Sequence, residues 1–83
     1  MTLEDVKRMV QEHNDSIDAY INGPLAKELN AKNGMIRMEQ WFKGNALIKE
    51  QGFYEKGMAI LKPARAAGYD VKMDMQSDKL VLR

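Results

Sequence analysis

Residues 68–83 constrain the fold more than any other part of the chain. Apolar residues alternate there with charged ones, in the period of two that separates the faces of a β-strand: Tyr69, Val71, Met73 and Met75. A polar cluster at 76–78 interrupts this alternation, and residues 79–83 resume it. The pattern predicts a C-terminal β-hairpin.

The register of this hairpin follows from keeping its large apolar side chains on one face. The predicted pairs are Met75 with Leu80 and Met73 with Leu82. They require a loop of two or four residues. In this register Lys72 lies opposite Arg83, and like charges directly opposite each other mildly destabilise a sheet. An anionic partner across that face would relieve the cost, and so would fraying of the terminal strand.

The length and composition bound the class of protein. Eighty-three residues predict a single small domain, 1–83, with a modest core. The chain has no cysteine, which excludes disulfides and thiolate metal ligands and fits a reducing compartment. Its acidic opening is unlike a signal peptide, and no apolar run approaches the roughly 20 residues of a membrane span. We therefore expect a cytoplasmic protein, or a host-cell or virion protein if a phage encodes it.

The first twenty residues predict a helix that begins at a capping box formed by Thr2 and Asp5. Six residues then recur at alternating steps of three and four, and we name this set the seam: Leu3, Val6, Val10, His13, Ile17 and Tyr20. A period of 3.5 residues indicates packing against one partner helix, either in the same chain or in a second subunit. Residues 14–16 are a poor helix interior and are expected to kink or restart the helix.

Shorter helices are expected to follow. Residues 22–24 should end the first helix, with Pro24 beginning a short one that residues 33–34 close. Another helix is expected between residues 35 and 52, disturbed at 44–45, before a turn at Gly52. A last helix should run from Phe53, with Pro63 kinking it or starting a new turn that stops at Gly68.

The predicted fold class is therefore α+β, with three to four helices followed by a C-terminal antiparallel β-hairpin. This order of elements also fits a winged helix. Most methionines and the pair Trp41 and Phe42 are interpreted as core residues, because they lie at helix and strand spacing: Met35, Met38, Met58, Met73 and Met75.

No residue pattern predicts catalysis. His13 is the only histidine, and no Ser, Cys or carboxylate is placed by sequence to complete a triad with it. The acidic residues Glu12, Asp15 and Asp18 could hold a divalent ion, but a solvated helix face is the simpler interpretation. The glycines lack the spacing of a phosphate-binding loop. We expect no catalytic residue, metal site, cofactor or small-molecule substrate.

Charge is distributed unevenly along the chain. Through Gly34 there are four Lys/Arg and six Asp/Glu, and from Met35 onward there are nine against six. The predicted last helix and hairpin carry six candidate nucleic-acid contacts: Lys56, Lys62, Arg65, Lys72, Lys79 and Arg83. In a winged helix-turn-helix these cations would contact phosphates. Ile48 and Gln51 depart from the usual residue types of that motif.

Two segments resemble a known family. Residues 6–14, VKRMVQEHN, and residues 37–48, RMEQWFKGNALI, are similar to the N-terminal segment of one bacteriophage portal-protein family. In that segment an early helix ending in Glu-His-Asn precedes an arginine, paired aromatics, a glycine and an isoleucine. Such portals are ring-shaped oligomers through which genomes are packaged. The resemblance, over residues 6–48, implies a phage-type origin and transfers no catalytic residue; the chain is too short for a portal's wing, stem and clip.

These patterns predict a non-catalytic macromolecular interaction module that self-associates through the seam in a structural assembly, and the portal resemblance implies that a phage or mobile element encodes it. The expected partner is a protein or a second copy of the chain, and no membrane is expected. A winged-helix DNA-binding regulator is one alternative. A small protein inhibitor of a host enzyme is another.

Overall fold

The computed structural model describes residues 1–30 and 41–83, except for the side chain of Trp41. Its helices are α1 (Leu3–Tyr20), a π-helical turn (Ile21–Leu25), α2 (Ala26–Glu28), α3 (Trp41–Glu50) and α4 (Phe53–Ala66). Strands β1 (Val71–Met73) and β2 (Leu80–Leu82) follow as an antiparallel pair. The predicted α+β class, helices followed by a hairpin, is confirmed. Within the described ranges no helix is both long and apolar enough to span a membrane.

Helix α1 begins at the predicted capping box. The Thr2 hydroxyl accepts the Asp5 N–H at 3.2 Å, and the Asp5 carboxylate accepts the Thr2 N–H at 3.1 Å. The helix then runs unbroken to Tyr20, so it does not restart at residues 14–16. The Ser16 hydroxyl bonds back to the Glu12 carbonyl at 2.9 Å within the helix. These polar side chains are therefore accommodated without interrupting α1.

Residues 22–24 do not end this helix, contrary to expectation. Pro24 lies inside the π-helical turn, which connects α1 directly to α2. Proline has no N–H and its ring crowds the preceding turn, and a wider turn accommodates both effects. Helix α2 ends at Glu28, and Asn30, two residues beyond it, adopts the left-handed conformation with φ 53°. Residues 33–34, the expected end, lie outside the described part of the chain.

Helices α3 and α4 are joined by a tight turn. Gly52 has φ 73°, a conformation that glycine adopts without strain, so the predicted turn is confirmed. Helix α3 continues through residues 44–45 and α4 continues through Pro63, so no new turn starts at the proline. Phe42 is 84% exposed, which contradicts its assignment to the core. The side chain of Trp41, together with Met35 and Met38, lies outside the described residues.

The hairpin covers the contact between α1 and α4. Strand β2 packs against α1, and β1 packs against α4. The resulting core contains Val6, Val10, Leu61, Ala64, Val71 and Leu80. At the other end of α1, Ile17, Leu25 and Leu29 are buried, and the rings of Tyr20 and Phe53 meet edge to face at 5.9 Å. The two ends of α1 therefore contribute buried side chains to different parts of the core.

The predicted hairpin register is wrong by two residues. The observed pairs are Val71 with Leu82, Lys72 with Val81 and Met73 with Leu80. The loop geometry accounts for the shift: the Asp74 carboxylate accepts the Gln76 N–H at 3.0 Å and the Ser77 hydroxyl at 3.0 Å. The Asp74 N–H then donates to the Lys79 carbonyl at 2.8 Å and closes a four-residue loop. Asp74 therefore starts the turn one residue earlier than expected, which shifts the pairing of the strands by two residues.

The shift leaves Met75 in the loop, 78% exposed, rather than in the core. Because the register shifts by an even number of residues, the side chains of each strand keep the faces predicted for them. It also removes the like-charge pair, since Lys72 lies opposite Val81 and the Arg83 N–H donates to the Asp70 carbonyl at 2.9 Å. The argument for an anionic partner across this face is lost with it.

Candidate interaction surfaces

The seam packs against other parts of the same chain. Val6 and Ile17 are completely buried, and Val10 and His13 are nearly so. They pack against α4, β2 and the π-helical turn of the same molecule. Leu3 is 42% exposed and Tyr20 is half-buried. In this fold the seam does not offer a surface to a second subunit, so the expected self-association through it is corrected to intramolecular packing.

His13 anchors the hairpin loop to α1. Its Nε2 donates to the Asp78 carbonyl at 2.8 Å, and its ring meets the edge of Phe53 at a centroid distance of 6.4 Å. Gly57 allows this packing, because a Cβ atom at that position would lie 3.2 Å from His13 Nε2 and would clash with the terminal methyl of Met73. The histidine is thus a structural contact between α1, α4 and the hairpin.

Asn14 makes a second connection to the hairpin. Its Oδ1 accepts the Leu80 N–H at 2.8 Å, and its Nδ2 donates to the Leu80 carbonyl at 2.9 Å. These two backbone groups point away from β1, because Met73 and Leu80 are a pair that exchanges no backbone hydrogen bonds. The amide therefore satisfies part of the free edge of β2, as a neighbouring strand would.

The acidic face of α1 is engaged in local contacts. Asp18 forms an ion pair with Lys79 at 2.6 Å, and Asp15 accepts a hydrogen bond from Gln11 at 2.8 Å. Among residues 1–30 and 41–83, no group of three His, Cys, Asp or Glu side chains is placed to hold a metal ion. The set Glu12, Asp15 and Asp18 is not such a group.

Three of the six candidate nucleic-acid contacts interact within the chain. The Lys56 ammonium lies 5.6 Å from the centre of the Phe53 ring, Arg65 Nε donates to the Val71 carbonyl at 2.8 Å, and Lys79 pairs with Asp18. The other three form no ion pair with any described residue: Lys62, Lys72 and Arg83. The structure does not gather the six cations into one patch.

Helix geometry separates the cations of α4. Lys56 and Lys62 lie about 120° apart around the helix axis, so their side chains leave α4 in different directions. Lys56 borders a depression of about 240 Å³ between α1 and α4, beside Glu12. Lys62 lies on the side of α4 that faces away from the core.

The outward side of α4 carries an exposed surface that the sequence patterns did not identify. Tyr54 is 47% exposed and borders two adjoining depressions. One, of about 390 Å³, reaches the hairpin loop and is lined by Lys49, Tyr54, Glu55, Met75 and Asp78. The other, of about 410 Å³, follows α4 and is lined by Tyr54, Glu55, Met58, Ala59 and Lys62. We name these eight residues the Tyr54 surface.

A sequence signal for Tyr54 exists. The buried residues of α4 recur at helical spacing as Phe53, Gly57, Leu61 and Ala64, and Tyr54 lies about 100° away from Phe53 around the helix. An aromatic residue off the buried stripe is a candidate for an exposed contact. Met75 had no comparable signal, because it continues the strand alternation.

Three carboxyl groups have shifted pKa values. Hydrogen bonds from the backbone and the hydroxyl of Thr2 lower the pKa of Asp5. The Gln76 N–H, followed by the Ser77 hydroxyl, lowers the pKa of Asp74. Burial raises the pKa of Asp78, and the nearby His13 opposes this change. All three groups stabilise or border turns and caps.

No protein-family model, curated protein or solved structure matches this chain. The resemblance of residues 6–48 to a portal-protein segment and the host-enzyme inhibitor alternative stay predictions.

Proposed function

We propose that this chain is a non-catalytic macromolecular interaction module that contacts a protein through the Tyr54 surface. The observation that carries the proposal is the exposure of Tyr54 and Met75, 47% and 78%, which line the same depression. Tyrosine and methionine are enriched at protein interfaces, where they bury a large area and adapt to the partner. Lys49, Glu55 and Lys62 supply a polar rim to this apolar centre.

Two further observations support a role without catalysis. His13 donates its Nε2 hydrogen to a backbone carbonyl, and Ser16 bonds to the Glu12 carbonyl, so both side chains make structural contacts. The Tyr54 surface also contains no histidine and no hydroxyl group other than that of Tyr54 itself. A contact surface needs neither group, whereas a Ser-His type of catalytic triad needs both.

Site-specific photocrosslinking in the producing cell tests the proposal. A benzophenone amino acid at position 54 should give a discrete protein adduct, whereas the same group at exposed Gln11, on α1, should not. Adducts of equal yield at both positions, or no adduct at position 54, would contradict the proposal. Mass spectrometry of the adduct then identifies the partner, including a second copy of the chain.

One observation favours winged-helix DNA binding as a second candidate function. Helices α3 and α4 are joined by a two-residue turn with Gly52 in the left-handed conformation, and the hairpin follows α4 directly. This is the order of a helix-turn-helix and its wing. The dispersed cations described above weigh against it.

Duplex binding at several salt concentrations tests this candidate. Affinity should fall as salt rises, and Lys62→Glu should make the slope of log affinity against log salt shallower by about one. Lys7→Glu, an exposed change on α1, serves as the matched control. Absent binding, or binding that does not respond to salt, excludes it.

A further inference from the structure

The outward face of α4 has a self-complementary arrangement of charge. Four exposed residues follow one another at steps of four, three and four: Glu55, Ala59, Lys62 and Ala66. In an α-helix this spacing places them within about 60° of one another, on the side opposite the buried stripe. We name these four residues the outer stripe.

Glu55 and Lys62 are the charged members of the outer stripe. They are seven residues apart, so they lie about 20° apart around the axis and about 10 Å apart along it. That separation is too long for an ion pair within the helix, and neither residue forms an ion pair with another described residue. Ala59 lies between them and has only a methyl group to hinder the approach of another backbone.

We infer that a second copy of this chain docks on the outer stripe, with the two α4 helices antiparallel about a two-fold axis near Ala59. A two-fold contact between antiparallel helices places residue 55 of each copy opposite residue 62 of the other. Both ion pairs, Glu55 with the other copy's Lys62 and the reverse, therefore form together. The exposed part of Met58 lies beside the axis and adds apolar contact to the alanines.

The charge pattern of the outer stripe indicates which kind of partner binds it. One acid and one base separated by small apolar residues give a net charge of zero, which does not favour a polyanion such as DNA. When two copies of this face meet antiparallel, the acid of each copy lies opposite the base of the other. This favours an isologous contact, in which both copies use the same surface. The inference rests on the proposed function, because the outer stripe and the Tyr54 surface share three residues: Glu55, Ala59 and Lys62.

Sedimentation velocity over a dilution series, up to about 1 mM protein, tests the inference by charge exchange. The parent chain should show a concentration-dependent dimer. Glu55→Lys or Lys62→Glu alone should raise the dissociation constant by at least about tenfold, because each places like charges opposite each other twice. The double variant Glu55→Lys/Lys62→Glu should return it to within about threefold of the parent, because it restores both pairs with the signs exchanged.

Matched controls separate the interface from general charge effects. Glu50→Lys and Lys72→Glu make the same exchanges on α3 and on β1, and both should leave the dissociation constant within about twofold of the parent. Circular dichroism of each variant establishes that it is folded. Because the double variant carries both changes, its recovery excludes a loss of folding as the reason for weaker association.

Three results would overturn the inference: a monomer at every concentration, a dimer whose dissociation constant is unchanged by either single substitution, or a double variant whose dissociation constant does not return towards that of the parent. A monomeric chain that still crosslinks through position 54 to a different protein would overturn only this inference and leave the proposed function intact. Loss of every adduct at position 54 beside a charge-sensitive dimer would instead contradict the proposed use of Tyr54.

Discussion

Asn14 binds both backbone polar groups of Leu80, sixty-six residues away in sequence, through hydrogen bonds of 2.8 and 2.9 Å. The side chain lies on α1 and Leu80 lies on β2, so the two bonds fix the hairpin against the first helix. Beside them, His13 holds the Asp78 carbonyl and Asp18 holds Lys79. Adjacent turns of α1 thus contact three successive residues, 78–80.

Replacing Asn14 tests this connection. Asn14→Ala should lower the free energy of unfolding by about 2 kcal/mol, because it leaves the Leu80 N–H and carbonyl without partners in a partly buried position. Urea denaturation measures the change, and Gln11→Ala, which removes only an exposed side-chain bond, should cost less than about 0.5 kcal/mol. Equal losses in the two variants would contradict a structural role for Asn14.

Two glycines should respond in opposite directions to alanine. Gly57→Ala should destabilise the fold by roughly 0.5–1.5 kcal/mol, because the added Cβ crowds His13 Nε2, which its bond to the Asp78 carbonyl holds in place. The Met73 methyl can turn aside, and the higher helix propensity of alanine offsets part of the cost. Gly23→Ala should stabilise it by roughly 0.5–1 kcal/mol, because no described atom lies within 4 Å of the new Cβ and alanine favours helical conformation. Thermal unfolding of both variants measures the difference, and a stabilising Gly57→Ala would refute the close packing at that position.

Asp74 should stabilise the fold at neutral pH and lose this effect in acid. Its pKa is lower in the folded chain than in the unfolded one, because the Gln76 N–H and the Ser77 hydroxyl bind the ionised form. The stabilisation is therefore present above the ordinary pKa of 3.8 and disappears as pH falls through the folded value. Asp74→Asn should be less stable than the parent at pH 7, with the difference shrinking towards about pH 2.

Asp78 should show the reverse dependence. Burial raises its folded pKa, so the protonated form is favoured in the folded state, and that contribution is present below pH 3.8 and lost as pH rises through the folded value. Asp78→Asn keeps a residue that tolerates the observed φ of 60° and removes the cost of burying a carboxylate. It should be more stable than the parent at pH 7 and lose this advantage near pH 3. An advantage independent of pH would contradict the assignment to ionisation.

The ion pair of Lys79 with Asp18 should contribute little. Their side chains are 36% and 49% exposed, so water screens much of the attraction despite the 2.6 Å contact. A double-mutant cycle with Lys79→Met and Asp18→Asn should give a coupling energy of about 0.2–1 kcal/mol that decreases in high salt. A coupling above about 2 kcal/mol would indicate that the pair acts as a buried one.

The local signals in the sequence predicted the helix cap, the Gly52 turn and the existence of the hairpin. Each depends on a few neighbouring residues, such as the reciprocal bonds of Thr2 and Asp5. The hairpin register was not predicted, because the loop is set by side-chain bonds from Asp74 that compete with the strand alternation. The helix end predicted at residues 22–24 was also wrong, because a π-helical turn accommodates Pro24 without ending the helix.

The seam's periodicity correctly marked a buried stripe but could not determine which molecule covers it. That answer depends on α4 and β2, which begin more than thirty residues after the end of the seam. The Tyr54 surface was missed because an exposed position in one helix is visible only relative to that helix's buried stripe. The six cations were grouped by sequence proximity, and Arg65 and Lys79 proved to bind other parts of the chain.

Thiol labelling in intact cells tests the central claim, that the outward side of α4 is the contact surface. Because the chain has no cysteine, Ala59→Cys and Ala19→Cys introduce single thiols at exposed positions on α4 and α1. In dilute purified protein both should react with a maleimide at similar rates. In cells the thiol at position 59 should react at least about tenfold more slowly than that at position 19, because a partner covers it. Equal reaction rates at both positions in the cell would contradict the claim.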